Sequence, residues 1–170
     1  MHVTIVHLTE DINGKAAFSE DAVFEQNESA FPDGVTKETG ELCDERLAMF
    51  TDLLGGAVTT GTARRADGSE ARWIELDTGR IEPLFATHHA NFLRSAKKLA
   101  SCTLGDFASS GGELARALYE LNCAYKFDWA YVLNDYGEAT PISSWLRVAR
   151  YAGMPRLQRF YVQAVYDGDQ

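Results

Sequence analysis

The chain opens on a run with almost no polar positions. Residues 3–8 (VTIVHL) are β-branched and apolar on both alternating sets. A strand solvated on one side alternates, so this run predicts a strand covered on both faces. Asn13-Gly14 then carries turn chemistry. Residues 15–35 show no clean period: Phe18, Val23, Phe24 and Phe31 are scattered among Glu20, Asp21, Glu25 and Glu28. A helix, a second strand and an acidic excursion held down by aromatics are all compatible with that spacing. Pro32-Asp33-Gly34 predicts a turn.

The pattern is clearer downstream. Cys43, Leu47, Phe50 and Leu54 step by 4, 3 and 4, which predicts a helix over 41–54 ended by Gly55-Gly56. Residues 58–65 and 70–77 predict a hairpin around Asp67-Gly68, a dipeptide favoured by type I′ turns. That turn sets Arg65 opposite Glu70 and Thr62 opposite Trp73. A second helix is expected from Glu82-Pro83, with Phe85, His89, Phe92, Ala96 and Leu99 as its apolar stripe. Ser110-Gly-Gly-Glu113 fits a capping box ahead of a helix carrying Leu114, Leu118, Leu121 and Tyr125. Residues 127–133 read as a strand, followed by a turn at 134–137. Thr140-Pro141 reads as a helix start with Thr140 as cap, and Ile142, Leu146, Ala149 and Ala152 form its stripe until Gly153 and Pro155 end it. Residues 157–166 alternate, with Phe160, Val162, Ala164 and Tyr166 expected on one side.

Strands and helices mix here without regular βαβ alternation. The expectation is a single α+β domain over 1–170, with a mostly antiparallel sheet of about five strands and helices packed on one face. With 170 residues and 45% apolar composition, the chain can build its own core without disulfides or metal. No apolar run approaches the roughly 20 residues of a membrane span, and the N-terminus lacks the basic start of a secretory signal. Cys43, Cys102 and Cys123 are odd in number and widely spaced, which suits a reducing, cytoplasmic setting.

Charge changes the picture most. The formal net charge is −9, and residues 1–54 carry 12 acids against 3 bases, whereas 55–170 are nearly balanced. A localised excess creates a directed field that draws in cationic partners and repels nucleic acid. Glu20, Asp21, Glu25, Glu28, Glu41, Asp44, Glu45 and Asp52 are therefore the candidate partner-binding residues. Such an array resembles the charge density of a nucleic acid backbone. The leading expectation is a non-enzymatic protein-binding module that docks on a basic surface. Its concrete form is an inhibitor or nucleic-acid-mimicking decoy of a DNA- or RNA-processing enzyme. Restriction and CRISPR effectors are among the targets, as for acidic antagonists carried by phages and mobile elements. That comparison rests on charge and size alone.

The alternative is a small enzyme or ligand-binding domain, with a site near His88, His89, Cys102, Ser109 and Ser110. Adjacent helical histidines point about 100° apart, so they do not converge on one metal, and no H-x-x-x-H or CxxC occurs. Cys102 follows a helix C-terminus, the wrong end of the dipole for activating a thiol. Ser109-Ser110-Gly111-Gly112 could cradle an anion at a helix start, but it lacks the P-loop pattern. No dinucleotide fingerprint or EF-hand loop occurs either, so no cofactor and no metal are expected.

Overall fold

A computed structural model describes residues 2–14, 16–109 and 112–169. Contacts divide the chain into two compact units: residues 1–81 with 127–170, and residues 82–126.

The first unit is built on a mixed sheet of seven strands. They are β1 (His2–Thr9), β2 (Gly34–Glu38), β3 (Val58–Arg64), β4 (Glu70–Asp77), β5 (Ala130–Leu133), β6 (Ala139–Pro141) and β7 (Leu157–Asp169). Their order is β3-β4-β7-β1-β5-β6, with β2 also paired to β7. Every pairing is antiparallel except β1 with β5. The sheet therefore exceeds the expected count of about five strands by β2 and β6. It is mixed, with one parallel pair, β1 and β5, beside the central antiparallel pair β7 and β1.

β1 is buried at every position from Val3 to Thr9, as its unbroken apolar run predicts. Covering it takes helices on both faces, not one. Helix α1 (Glu20–Asn27) sets Val23 into a cluster with Val3, Ile5, Phe31, Leu133 and Tyr166. Helix α2 (Gly40–Leu54) also packs on β1 and β7. Its Arg46 pairs with Asp167 at 2.7 Å. Asp167 lies opposite Thr4, on the face away from Val3 and Ile5, because side chains alternate along a strand. Helix α6 (Ile142–Tyr151) packs on β5 and β6, burying Ile142, Leu146 and Ala149.

Within the unreadable stretch 15–35, of which residue 15 lies outside the described residues, residues 20–27 form α1, a turn follows and β2 starts at Gly34. Ser19 caps α1 by accepting the N–H of Ala22. Two registers differ from expectation. In the β3-β4 hairpin, Arg64 faces Glu70, Gly61 faces Trp73 and Thr62 faces Arg72, one residue away from the predicted pairing. A type I′ turn needs positive φ at both central residues, and only Gly68 has it. The strands instead close through a hydrogen bond from Arg65 N to Ser69 O. In β7, a register shift opposite His7 and Leu8 interrupts the alternation. Phe160 and Val162 consequently face one side, and Ala164 and Tyr166 the other. The start of α6 is also displaced: Thr140 ends in β6 and Pro141 is the N-cap.

The second unit is helical: α3 (Ile81–Ala100, from Glu82 onward), α4 (Leu104–Ala108) and α5 (Glu113–Ala124). Lys98 Nζ binds both carboxylate oxygens of Glu120 at 2.6 and 2.7 Å, and Arg116 joins them from one turn back at 3.1 Å. Thr103 and Asp106 form a reciprocal capping box on α4. At the start of α5 the N-cap is Gly112, which has no side chain to bond, while the predicted cap Ser110 lies outside the described residues. No helix among the described residues is long and apolar enough to cross a membrane.

Candidate functional site

Parallel strands side by side direct their C-terminal ends toward the same edge, where loops diverge and leave a crevice. Here β1 ends in His7, Leu8 and Thr9, and β5 ends in Leu133, with Asn134 and Asp135 in the turn that follows. The two ends meet through Asp135. Thr9 Oγ1 donates to its Oδ2 at 3.1 Å. His7 Nε2 stands 3.5 Å from its Oδ1, longer than a good hydrogen bond. His7 is fully buried, and its ring packs on Phe18 at 5.1 Å. Neither ring nitrogen has a hydrogen-bond partner within the described residues. Burial holds the His7 pKa below its ordinary value of 6.5, despite the opposing pull of Asp135. A buried imidazole is costly to charge, so the ring is neutral near pH 7.

The turn that presents Asp135 is tightly fixed. Asn134 Oδ1 accepts from the backbone N–H groups of Tyr136 and Glu138. Beneath it, buried Asn27 donates to Val23 O and Gly137 O and accepts from Ala139 N, at 2.8–2.9 Å. Helix α1 thereby clamps the loop to the sheet.

Asp135 also borders a cleft of about 310 Å³. Its floor is apolar, from Leu8, Val132 and Phe160, and α6 supplies Trp145 and Val148 as one wall. Trp145 and Phe160 meet edge to face, with centroids 5.4 Å apart. Glu10, Asn134 and Tyr136 complete the polar side. The volume lies at the small end of ligand sites, and the lining has their usual make-up of apolar walls with a few polar groups.

The residues singled out in the sequence lie elsewhere. All eight acidic candidates are exposed. Glu20, Asp21 and Glu25 stand on α1, and Glu28 caps its C-terminal end. Glu41, Asp44, Glu45 and Asp52 stand on α2. These helices cover opposite faces of the sheet, so the acids form two groups. Glu20 accepts the N–H of Lys37, and Asp44 pairs with Arg72, which also donates to the sulfur of buried Cys43. In α3 the histidines exchange their expected places: His88 is half-buried and His89 exposed. Cys102 is half-buried, with its thiol near Lys98 O. Ser109 bonds Asp106 O at the end of α4. No group of three or more His, Cys, Asp or Glu among the described residues could hold a metal.

His7 and Asp135 are 128 positions apart and went unnoticed in the sequence. One signal was present: a histidine inside a run otherwise committed to burial, where a polar ring needs a reason. No protein-family model, curated protein or solved structure matches this chain.

Proposed function

We propose that the protein binds a small organic molecule in the cleft between the C-terminal ends of β1 and β5 and helix α6. The carrying observation is Asp135. It is held by Thr9 beside buried His7, on a loop clamped by Asn27, and it borders an aromatic-walled cavity. Polar groups fixed this firmly at the rim of an apolar hollow suit a site that orients a ligand. The test is a fragment screen followed by protein-observed NMR. Hits should move the resonances of Trp145, Tyr136 and Asn134 together. A screen in which no fragment moves them defeats the reading.

A second reading keeps the acids of one helix, tested at α2, as a docking surface for a basic protein, such as a nucleic-acid-processing enzyme. It is favoured by where the charges sit. Glu28 caps the C-terminal end of α1, Asp52 lies in the last turn of α2, and neither last turn holds a base. Carboxylates there oppose the helix dipole, so helix stability does not account for them. Neutralising Glu41, Asp44, Glu45 and Asp52 together should weaken capture of such a partner at low salt while the fold survives. Unchanged capture removes α2 from the surface.

A further inference from the structure

We infer that β3 and helix α2 form a docking groove for an extended, lysine- or arginine-rich segment of another protein, which adds to the sheet as a strand beside β3. This rests on the reading of α2 as a docking surface and deepens it by naming how the partner binds and with what chemistry.

An open sheet edge is the first reason. β3 ends the strand order and pairs with β4 alone. Along an antiparallel ladder, hydrogen-bonded pairs alternate with pairs that turn their backbone groups away. The bond from Arg65 N to Ser69 O sets the phase. Thr59, Gly61 and Ala63 therefore bond to β4, and Thr60 and Thr62 turn their backbone groups outward. Trp73 agrees with that phase. Its ring lies against Gly61, where a Cβ would strike it, and its indole donates to Thr62 O at 3.1 Å. The N–H and C=O of Thr60 and the N–H of Thr62 are left for a partner strand. Natural edges are blunted by lysine, proline or a bulge. Residues 58–63 hold no charge and no proline, the β3 register is unbroken, and Thr60 and Thr62 are exposed.

The second reason is a hollow beside that edge, of about 270 Å³. Ala48 and Thr51 of α2 line it together with Thr60 and Thr62 of β3, and buried Leu47 and Ile74 supply its apolar lining. Side chains of an added strand alternate between the two faces, so every second one would lie along α2 or enter the hollow. An extended segment is the occupant that uses the backbone edge and the hollow at once.

Charge names the segment. Around α2, Glu41, Glu45 and Asp52 fall within about 40° of one another, and about a quarter-turn outward from the row that lines the hollow. All three are exposed, and none forms an ion pair among the described residues. Their field has to cross about a helix diameter, ~10 Å, comparable with the Debye length in physiological salt. Asp44 in the lining row is already neutralised by Arg72, and Arg64 stands at the hairpin end of β3, outside the hollow. A basic segment is drawn in. An acidic segment, or a second copy of this chain at net charge −9, is repelled.

The probe is a nine-residue peptide that alternates lysine with threonine and carries valine at its centre. It is titrated into the full chain and followed by backbone amide NMR. It should shift Thr60, Gly61 and Thr62, slow amide exchange at Thr60 and Thr62, and weaken with added salt. The same peptide with glutamate for lysine should bind at least tenfold more weakly. N-methylation at alternate residues should abolish binding in the phase whose amides face β3 and spare it in the other. Thr60→Pro, at an outward-facing position, should abolish it too, with thermal melting confirming a folded protein. Glu41→Gln, Glu45→Gln and Asp52→Asn together should reduce affinity severalfold. If that neutralisation weakens binding while both N-methylated peptides bind unchanged, strand addition is overturned and α2 remains a docking surface. Equal binding of the lysine and glutamate peptides overturns the basic segment. If no peptide shifts β3 at millimolar concentration, the groove accepts no strand, and capture of a basic partner still judges α2 on its own. Concentration-dependent dimerisation that protects the Thr60 and Thr62 amides would put a second copy on the edge and overturn the proposal as well.

Discussion

Asn27 is the residue whose removal most directly tests how the cleft is held. Its amide makes three hydrogen bonds, two of them to residues 110 and 112 positions away in sequence. Asn27→Ala strands the carbonyl of Gly137 in a buried setting, which costs about 1–3 kcal/mol. Ala139 N is partly buried, and losing its acceptor adds about 1 kcal/mol. The Val23 carbonyl already serves the helix and adds little. The expected total is about 2–4 kcal/mol. For a urea slope of about 2 kcal/mol per molar, the unfolding midpoint should fall by roughly 1–2 M. The melting temperature should fall by about 5–15 °C. Asn27→Asp separates hydrogen bonding from volume. It keeps the acceptor for Ala139 but aims a carboxylate at two carbonyl oxygens. It should be at least as damaging as alanine at pH 7 and recover below about pH 4 as the acid protonates. Amide exchange at Gly137 and Ala139 should accelerate in both variants. A midpoint shift under about 0.5 M for Asn27→Ala would refute the reasoning, because the backbone groups would then have found other partners.

Three further outcomes follow from the same structure. Because His7 is held below 6.5 in the fold, the unfolded chain binds more protons under acid conditions. Its contribution is therefore intact above about pH 6.5 and is lost as pH falls below that value, at up to ~1.4 kcal/mol per unit; His7→Leu should flatten that part of a denaturant-monitored stability profile. Tyr166 is pushed up to about 12 by burial while donating to Phe18 O at 2.8 Å. Wild-type stability should consequently decline as pH rises from about 10 to 12, and Tyr166→Phe should remove that decline at a cost near 1 kcal/mol at neutral pH. Gly168 has Phe31, Ile5 and Val3 side chains within 2.9–3.2 Å of where a Cβ would stand. Gly168→Ala should overpack the cluster by about 1–3 kcal/mol in chemical denaturation, and an unchanged midpoint would show that those side chains yield freely.

The elements legible in the sequence were those whose burial is written into a period. The stripe Cys43, Leu47, Phe50 and Leu54 is buried as its spacing requires, and β1 is covered on both faces as VTIVHL demands. β2 left no such trace. GVTKE carries one large apolar residue and owes its strand form to pairing with β7, which lies far downstream in sequence. β6 is three residues long, too short for alternation to register. The hairpin was visible but its register was not, because Asp67-Gly68 fits more than one turn and the backbone chose the one with positive φ at glycine alone. The acidic excess was plain, yet its division between α1 and α2 depends on which sheet face each helix covers. The cleft was invisible for a related reason. It is a property of two strand ends, and only tertiary pairing brings His7 and Thr9 to Asp135.

β7 has a consequence for how the protein is made. Its thirteen residues bond to β1, β2 and β4, three strands that all precede it by more than 75 positions. During synthesis those strands emerge first and lack this partner until residues 157–169 have left the ribosome. Formation of the sheet is therefore deferred until β7 has been made, and open strand edges are exposed in the meantime. Helices α1 and α2 flank those early strands and carry most of the chain's surplus negative charge. In the nascent chain, that charge would keep unfinished copies apart by mutual repulsion. The acids would then guard the unfinished sheet from aggregation before they meet any partner.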